Sequence, residues 1–473
     1  MTAEELWALP PNEFNKWRAE NDLPKLFNFF KKYLPDFEIW LNEYRFEIEF
    51  LTKLTTPGEV FHGETEKYMI ESREASNVQY FFVEPKSKRA GKKVEKISKD
   101  QNQKVLKFTP YLLWGSKRFK MKQFIPTKYS GKVETLSYTT GTAPDVPDMC
   151  SWVLLSGITV LKLGGVTIKN NYWINSRNLD FVNLDFLRIE GKYHGNTSQK
   201  IFYSHCHNIE LVNAELNFFE FNDCDIHNFK LTQDSSIYSF LFRDGNLWNL
   251  VSKDSSIRNT NFHNCSISRF NLQNTFLEDL NYTPKIKERH QGKPLTYETI
   301  SDNYKRFRLA FTKIGERNET KECYYFERKY DMLKRISEIN TYYGSYKFSY
   351  SPRKLFHLIR RILLDVYTSF VKLLKSINPV INFLTWGFGE KPQRLLLLAP
   401  IVILTYSLFY SALEIKTDFA ENLFFSIISF TRVGGNEVQN LDSLIKLLIG
   451  SEALLGWIII VFIINGYANK TKY

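Results

Sequence analysis

A chain of 473 residues has room for several domains, and a mean hydropathy of −0.31 excludes a protein made wholly of membrane helices. Its formal charge of +12 admits nucleic acid or an anionic membrane as partner, and the position of the basic residues decides between them. Five scattered cysteines (Cys150, Cys206, Cys224, Cys265, Cys323) suit a reducing compartment better than a disulfide framework. P-loop, GxSxG, HExxH and CxxC motifs are absent from the sequence, which makes an enzyme the weakest class. Residues 1–30 carry early acidic residues and lack an uninterrupted apolar core, so no signal peptide is expected and the N-terminal bulk is assigned to the cytosol.

Residues 1–150 read as a separate α+β domain of unassigned role. Helical periodicity runs to Leu54, strand-like stretches follow (NVQYFFVEP, KVLKFTPYLLW), and a basic loop lies at Lys86 to Lys99. That loop suits phosphate or nucleic acid, or a solvated turn, and the solvated turn carries more weight.

In residues 151–285 apolar side chains recur every five residues: Ile174, Leu179, Leu184, Ile189; then Leu211, Leu216, Phe221, Ile226, Leu231; then Ile237 to Leu277, with only Ser252 breaking the pattern. Small residues stand two places before many of them (Ala214, Cys224, Gly245, Thr260, Cys265, Thr275), and Asn or Asp often stands just before. Neither a helix nor a flat strand has this period. A coil with four sides of five residues does, so the stretch resembles a right-handed, quadrilateral pentapeptide-repeat β-helix of roughly five coils from about Tyr172 to Leu280. Phase slips near Ile189–Leu211 and Leu231–Ile237 mark loops or short insertions.

Residues 286–345 predict a packed helical hairpin, Tyr297 to Lys313 and Glu319 to Ile339, with aromatic residues at three- and four-residue spacing. Residues 346–394 follow as a basic amphipathic helix and linker. The stretch Lys354 to Ile381 sets an apolar face (Leu355, Leu358, Ile359, Ile362) against Arg360, Arg361, Lys372 and Lys375, as a helix lying in the headgroup plane would. From Tyr346 to Arg394 only Asp365 and Glu390 oppose nine Lys and Arg. This puts the basic excess beside a membrane rather than on nucleic acid.

Residues 395–473 hold two apolar spans. Leu395 to Leu413 carries no charge and, as a helix, reaches roughly 28 Å, about a bilayer core. The second span runs from about Leu444 to Tyr467 and is broken by Lys446, Ser451 and Glu452. Between them, Asp418 to Glu437 is an apolar helix-like run ending in Val433-Gly434-Gly435. Basic residues flank both outer ends, and Lys470 and Lys472 follow the second, so both ends are expected in the cytoplasm of a bacterial inner membrane. Plain anchoring helices are the competing reading, although FFSIISF would be costly to expose to water.

On these residues, Gly387 to Tyr473 resembles the two-transmembrane, pore-loop ion channels of the potassium-channel superfamily. The stretches GFGEKPQRLLLL and CYYFERKYDM are similar to those of bacterial proteins joining pentapeptide repeats to such a pore. The resemblance implies a homotetramer, a re-entrant pore helix over Phe419 to Phe430, and a conduction filter at Thr431, Arg432, Val433, Gly434, Gly435, Asn436 and Glu437. It also implies inner-helix packing or bending at Gly450 and Gly456. Only Val433 and Gly434 match the family filter TVGYGD. Arg432 stands at the Thr position, where it would repel cations, while the outer acids Glu414, Asp418, Glu421 and Glu437 favour them. Strict potassium selectivity is therefore not expected. Glu452, an intramembrane acid, should face a cavity or a partner group. The expected function is an ion channel subunit gated by its cytosolic region through a ligand or protein. The alternative is a membrane-anchored β-helix that binds a partner without conducting.

His205, Cys206, His207, Cys224, His227, His263 and Cys265 invite a metal. His207 and His227 lie one coil apart and should stack, but Cys224 and Cys265 fall at inward positions. The structural role carries more weight, so no metal and no other cofactor is assigned. Mixed charges along the repeat disfavour DNA mimicry, and nucleic acid is not an expected partner.

Overall fold

The computed structural model describes residues 1–63, 65–74, 77–84, 103–118, 126–128, 136–138, 160–169, 174–193, 198–284, 296–340, 371, 376–385, 387–391, 393–431 and 442–471. They form two compact units, Met1–Glu316 and Arg317–Tyr473.

The first unit opens with helices α1 (Ala3–Ala8), α2 (Pro11–Asn21), α3 (Leu23–Tyr33), α4 (Phe37–Tyr44) and α5 (Ile48–Thr52). Thr2 and Glu5 form a reciprocal cap on α1, each side chain accepting from the other's backbone N–H. An antiparallel sheet in the order β2-β1-β3 follows (β1 Lys67–Glu74, β2 Asn77–Val83, β3 Gln103–Phe108), then α6 (Tyr111–Arg118) and the small hairpin of β4 (Pro126–Lys128) and β5 (Leu136–Tyr138).

Strands β6 (Leu161–Lys162) to β21 (Phe270–Thr283) build a parallel β-solenoid. One of its ladders runs β6, β8 (Val182–Asn183), β11 (His205–His207), β14 (Asp225–His227), β18 (Asn246–Leu247) and β20 (Ser266–Ile267), one strand per coil, which gives six coils among the described residues. Register shows the side chains stacking in columns. Ile189, Leu211, Leu231, Ser252 and Leu272 form one column, and Leu216, Ile237, Ile257 and Leu277 form another. All of them are buried. Ser252 therefore keeps the column rather than breaking it, and its hydroxyl is satisfied 3.0 Å from Thr275 Oγ1.

A coil runs 20 residues from Leu211 to Leu231 but 22 from Ile189 to Leu211 and 21 from Leu231 to Ser252. These longer coils are the two phase slips. At the second, Gln233 and Asp234 are both left-handed, which absorbs the extra residue. Elsewhere a left-handed residue follows two places after the buried one, and Asn or Asp commonly fills it: Asn208, Asn213, Asp223, Asn228, Asp244, Asp254, Asn259, Asn264. These types tolerate that conformation best after glycine. Gly245 answers a different need, because a Cβ there would lie 2.4 Å from Cys224 O of the preceding coil.

The N-terminal elements do not stand apart from the solenoid. One apolar core joins Phe27, Phe30, Phe37, Trp40, Phe61 and Tyr111 to the coil residues Phe181, Phe202 and Tyr203. The buried Arg18 donates to Asn178 O (2.6 Å) and Asp180 O (3.0 Å), and Arg177 donates to Trp7 O and Leu9 O while lying over the Trp7 and Phe14 rings. Gly58 donates its amide to Asp180 Oδ2, and a Cβ on it would lie 2.2 Å from Phe202 Cβ. The N-terminal helices thus share their core with the first coils.

The same junction buries charge. Glu59 is held between Lys67 (2.5 Å) and Lys200 (2.7 Å), and His62 Nδ1 lies 2.7 Å from Asp223 Oδ2. Burial raises the Glu59 carboxyl, but the two lysines outweigh it and hold the pKa down at about 2. Burial drives His62 down to about 4, against the nearby Asp244 carboxylate. Below its ordinary range an unfolded-state His62 takes up a proton that the folded chain refuses, so stability is lost as pH falls from about 6.5 to about 4. Asp180 runs the other way, because burial pushes it up to about 7 despite the amides of Gly58 and Phe202. Comparison with His62→Gln isolates the histidine. The stability advantage of wild type over the variant is expected to shrink by on the order of 3 kcal/mol between those pH values. Thermal unfolding of the full chain in detergent, followed by circular dichroism, reads it. A constant difference across that range would mean that His62 is not buried in its neutral form.

Helix α7 (Tyr297–Ile314) closes the last coil. Phe307 packs on Phe262 and Phe270, and Tyr304 on Tyr282. Asn303 accepts from Ile267 N and donates to Cys265 O, while Arg306 donates to Ile267 O and Lys313 to Leu272 O. Both helices of the expected hairpin are present. Its first helix spends its aromatic stripe on the solenoid, and its second, α8 (Arg317–Asn340), belongs to the second unit.

Candidate functional site

The second unit continues with α9 (residues 376–385), α10 (Gln393–Ala412), α11 (Phe419–Thr431) and α12 (Ser443–Thr471). Among the described residues, α10 and α12 are the helices long and apolar enough to cross a bilayer. In the most apolar stretch of each, only 17% and 28% of residues are buried, unlike the core helices of a soluble protein. Leu397, Leu408, Leu447, Leu454 and Trp457 all point outward. At thirteen residues α11 rises only about 20 Å and is too short to cross.

Helix α11 is tied to α10 at its start and middle. Asn422, 1% exposed, accepts from Lys416 N and donates to Lys416 O and Asp418 O, which fixes the loop after α10. Ser426 Oγ lies 2.9 Å from Ile403 O of α10. At the far end, α11 meets α12 closely enough that a Cβ on Gly456 would lie 2.1 Å from Phe430 O. Phe430 also shares a small core with Leu395 and Ile459.

Glu452 of α12 is fully buried where the three helices meet. Tyr410 of α10 donates to one carboxylate oxygen at 2.5 Å, and Ser426 of α11 donates to the other. Tyr406 and Ser451 add a second α10–α12 hydrogen bond at 2.9 Å. A carboxylate in apolar surroundings needs such donors on both oxygens. The expected intramembrane acid therefore bonds to both neighbouring helices. Tyr410 and Ser426 belong to the site although the sequence reading did not name them. Their signal was a hydroxyl within an apolar helix.

Of the expected filter, Thr431 ends α11 with its hydroxyl on Ile427 O. Arg432, Val433, Gly434, Gly435, Asn436 and Glu437 lie outside the described residues, as does most of Lys354 to Ile381, of which 371 and 376–381 are described. Gly456 is a packing position, whereas a Cβ on Gly450 would meet nothing within 4 Å.

Before α10 the chain makes an aromatic and cationic clamp on Tyr325 of α8. Lys391 Nζ sits 4.1 Å from the Tyr325 ring centroid, Arg394 donates to the Tyr325 hydroxyl and to Phe383 O, and Phe383 and Phe388 pack against the same ring. Phe388 is itself left-handed between Gly387 and Gly389, so the turn places its ring against the clamp.

On the solenoid, the other candidate cluster gathers as the coil spacing implied. The rings of His207 and His227 lie 4.4 Å apart, with Asp225 Oδ2 3.1 Å from His207 Nε2 and Oδ1 3.0 Å from His227 Nε2. Burial lowers His205, whereas the hydrogen bond to Asp225 raises His207. Cys206, Cys224 and Cys265 are buried away from it, and burial raises the thiols of Cys206 and Cys265. Comparison with known proteins found no family model, no curated protein and no solved structure that matches the chain.

Proposed function

We propose that this chain is one subunit of a homotetrameric ion channel of the two-transmembrane, pore-loop type, gated by its cytosolic region. The observation that carries the reading is the long–short–long helix trio locked through Glu452, Tyr410 and Ser426, with the outer faces of α10 and α12 left apolar. Two anchoring helices alone would not require an intervening short helix bonded to both. In this reading α11 is the re-entrant pore helix and residues 431–437 line the ion path. A ring of Arg432 side chains then weakens cation selectivity. Both chain ends lie in the cytoplasm of a bacterial inner membrane.

The solenoid is then a right-handed, four-sided β-helix of pentapeptide repeats. The near-twenty-residue coil, the buried residue every five positions and the regular left-handed corners support this. Gating force would pass through the Tyr325 clamp to the start of α10, because Lys391 and Arg394 link the two directly.

The test is planar-bilayer current from purified protein under asymmetric KCl, for wild type and Arg432→Thr. A wild-type current whose reversal potential moves toward potassium in the variant is the expected result. Silence in both, with an intact oligomer, would overturn the channel reading in favour of a membrane-anchored β-helix that binds a partner.

A further inference from the structure

The His–Asp cluster on the solenoid has the composition and the support of a metal site. Residues two apart on a strand share a face, so Cys206 turns inward while His205 and His207 both face out on β11 (His205–His207). The next coil places Asp225 beside His205 and His227 beside His207 in parallel register on β14 (Asp225–His227). The ligand atoms of His205, His207 and Asp225 all fall within 4.8 Å of one another. Donors around a tetrahedral Zn²⁺ stand roughly 3.3 Å apart, given bonds of about 2.0–2.1 Å, so side-chain rotation without movement of the strands closes the set.

The surroundings provide the orienting group that metal-bound imidazoles require. Asp185, from the preceding coil, lies 3.4 Å from His207 Nδ1, the nitrogen opposite the one facing Asp225. Its carboxylate is fixed by His207 N (2.8 Å) and by the Asn183 side-chain amide (2.8 Å). A carboxylate on the far nitrogen sets the tautomer and strengthens the ligand. Imidazole-rich sets with a carboxylate select borderline transition ions over Ca²⁺ or Mg²⁺, and the inward thiols leave no soft ligand to favour Cu⁺.

We propose that His205, His207 and Asp225, with His227 as the fourth ligand, bind one Zn²⁺-class ion on the flank of the solenoid, with Asp185 as the positioning residue for His207. The site rests on the solenoid alone and is independent of the channel reading. Such an ion would bridge two adjacent coils and cross-link them.

The experiment is titration of tag-free, chelator-stripped full-length protein in detergent with CoCl₂, followed by displacement with ZnCl₂. The expected result is one ion per chain, with the visible absorption of tetrahedral Co²⁺ bleached by zinc. His207→Gln should weaken binding by at least about tenfold. Asp225→Asn should do the same, while Cys206→Ser and His263→Gln keep wild-type affinity. His207→Gln alters a partly exposed side chain, and its circular dichroism should match wild type, so loss of fold does not mimic loss of the site. Absence of saturable binding, or binding that His207→Gln leaves unchanged, would overturn the proposal.

Discussion

Gly456→Val is expected to separate α12 from α11 and to lower the melting temperature of the second unit sharply. The first atom of any side chain at 456 would stand 2.1 Å from Phe430 O and 3.1 Å from the Phe430 ring. The carbonyl has little room to retreat, because the same residue packs against Leu395 and Ile459. Relief therefore requires a shift of the end of α11, the segment that leads into residues 431–437. Overpacking of this kind costs about 1–3 kcal/mol, and a clash with backbone sits at the upper end. Gly450→Val is the control, since a Cβ there meets nothing within 4 Å. Thermal unfolding and size-exclusion profiles in detergent should be disturbed for position 456 and unchanged for 450. Equal behaviour of the two variants would remove the close contact from the account.

Phe242→Ala is expected to cost about 3–5 kcal/mol. Its ring lies parallel between Phe221 (5.4 Å) and Phe262 (5.2 Å), one coil to either side, and edge-on to Phe229. Truncation leaves a cavity in the middle of a column, where hydrogen-bonded strands above and below prevent collapse. Phe242→Leu, which matches the apolar residues of the other columns, should cost clearly less. Phe276→Ala, half exposed on a late coil, should stay within about 0.5 kcal/mol. Urea unfolding midpoints of the full chain by circular dichroism rank the three. A Phe242→Ala midpoint equal to that of Phe276→Ala would contradict the stacked core.

The repeat was readable because its cause is local. One inward side chain per five residues follows from the coil geometry, and every apolar position from Leu211 to Leu277 in that series is buried. In the sequence Asn and Asp stand out one place before the apolar residue, whereas the structure ties them to the left-handed position two places after. The apolar spans and the short helix between them were equally local, a matter of length and hydropathy.

What escaped the sequence was pairing over distance. Arg18 meets Asn178 and His62 meets Asp223 across about 160 positions, and no periodicity announces such contacts. The stripe Tyr304, Phe307 and Phe311 correctly marked a helix with one apolar face, but it could not say whether that face met another helix or the end of a solenoid. Glu452 stood out as an acid among apolar residues. Its hydroxyl partners did not, since Ser and Tyr are ordinary in such helices.

The closure of the last coil bears on how copies of this chain can associate. A parallel solenoid ends in a row of backbone donors and acceptors that would accept the first strand of another copy and so on without limit. Here Asn303, Arg306 and Lys313 occupy Ile267 N, Cys265 O, Ile267 O and Leu272 O, with side-chain groups imitating the next strand. Helix α7 is thus a chain terminator for strand addition at those positions. A strand from another copy would have to displace these side chains to pair there.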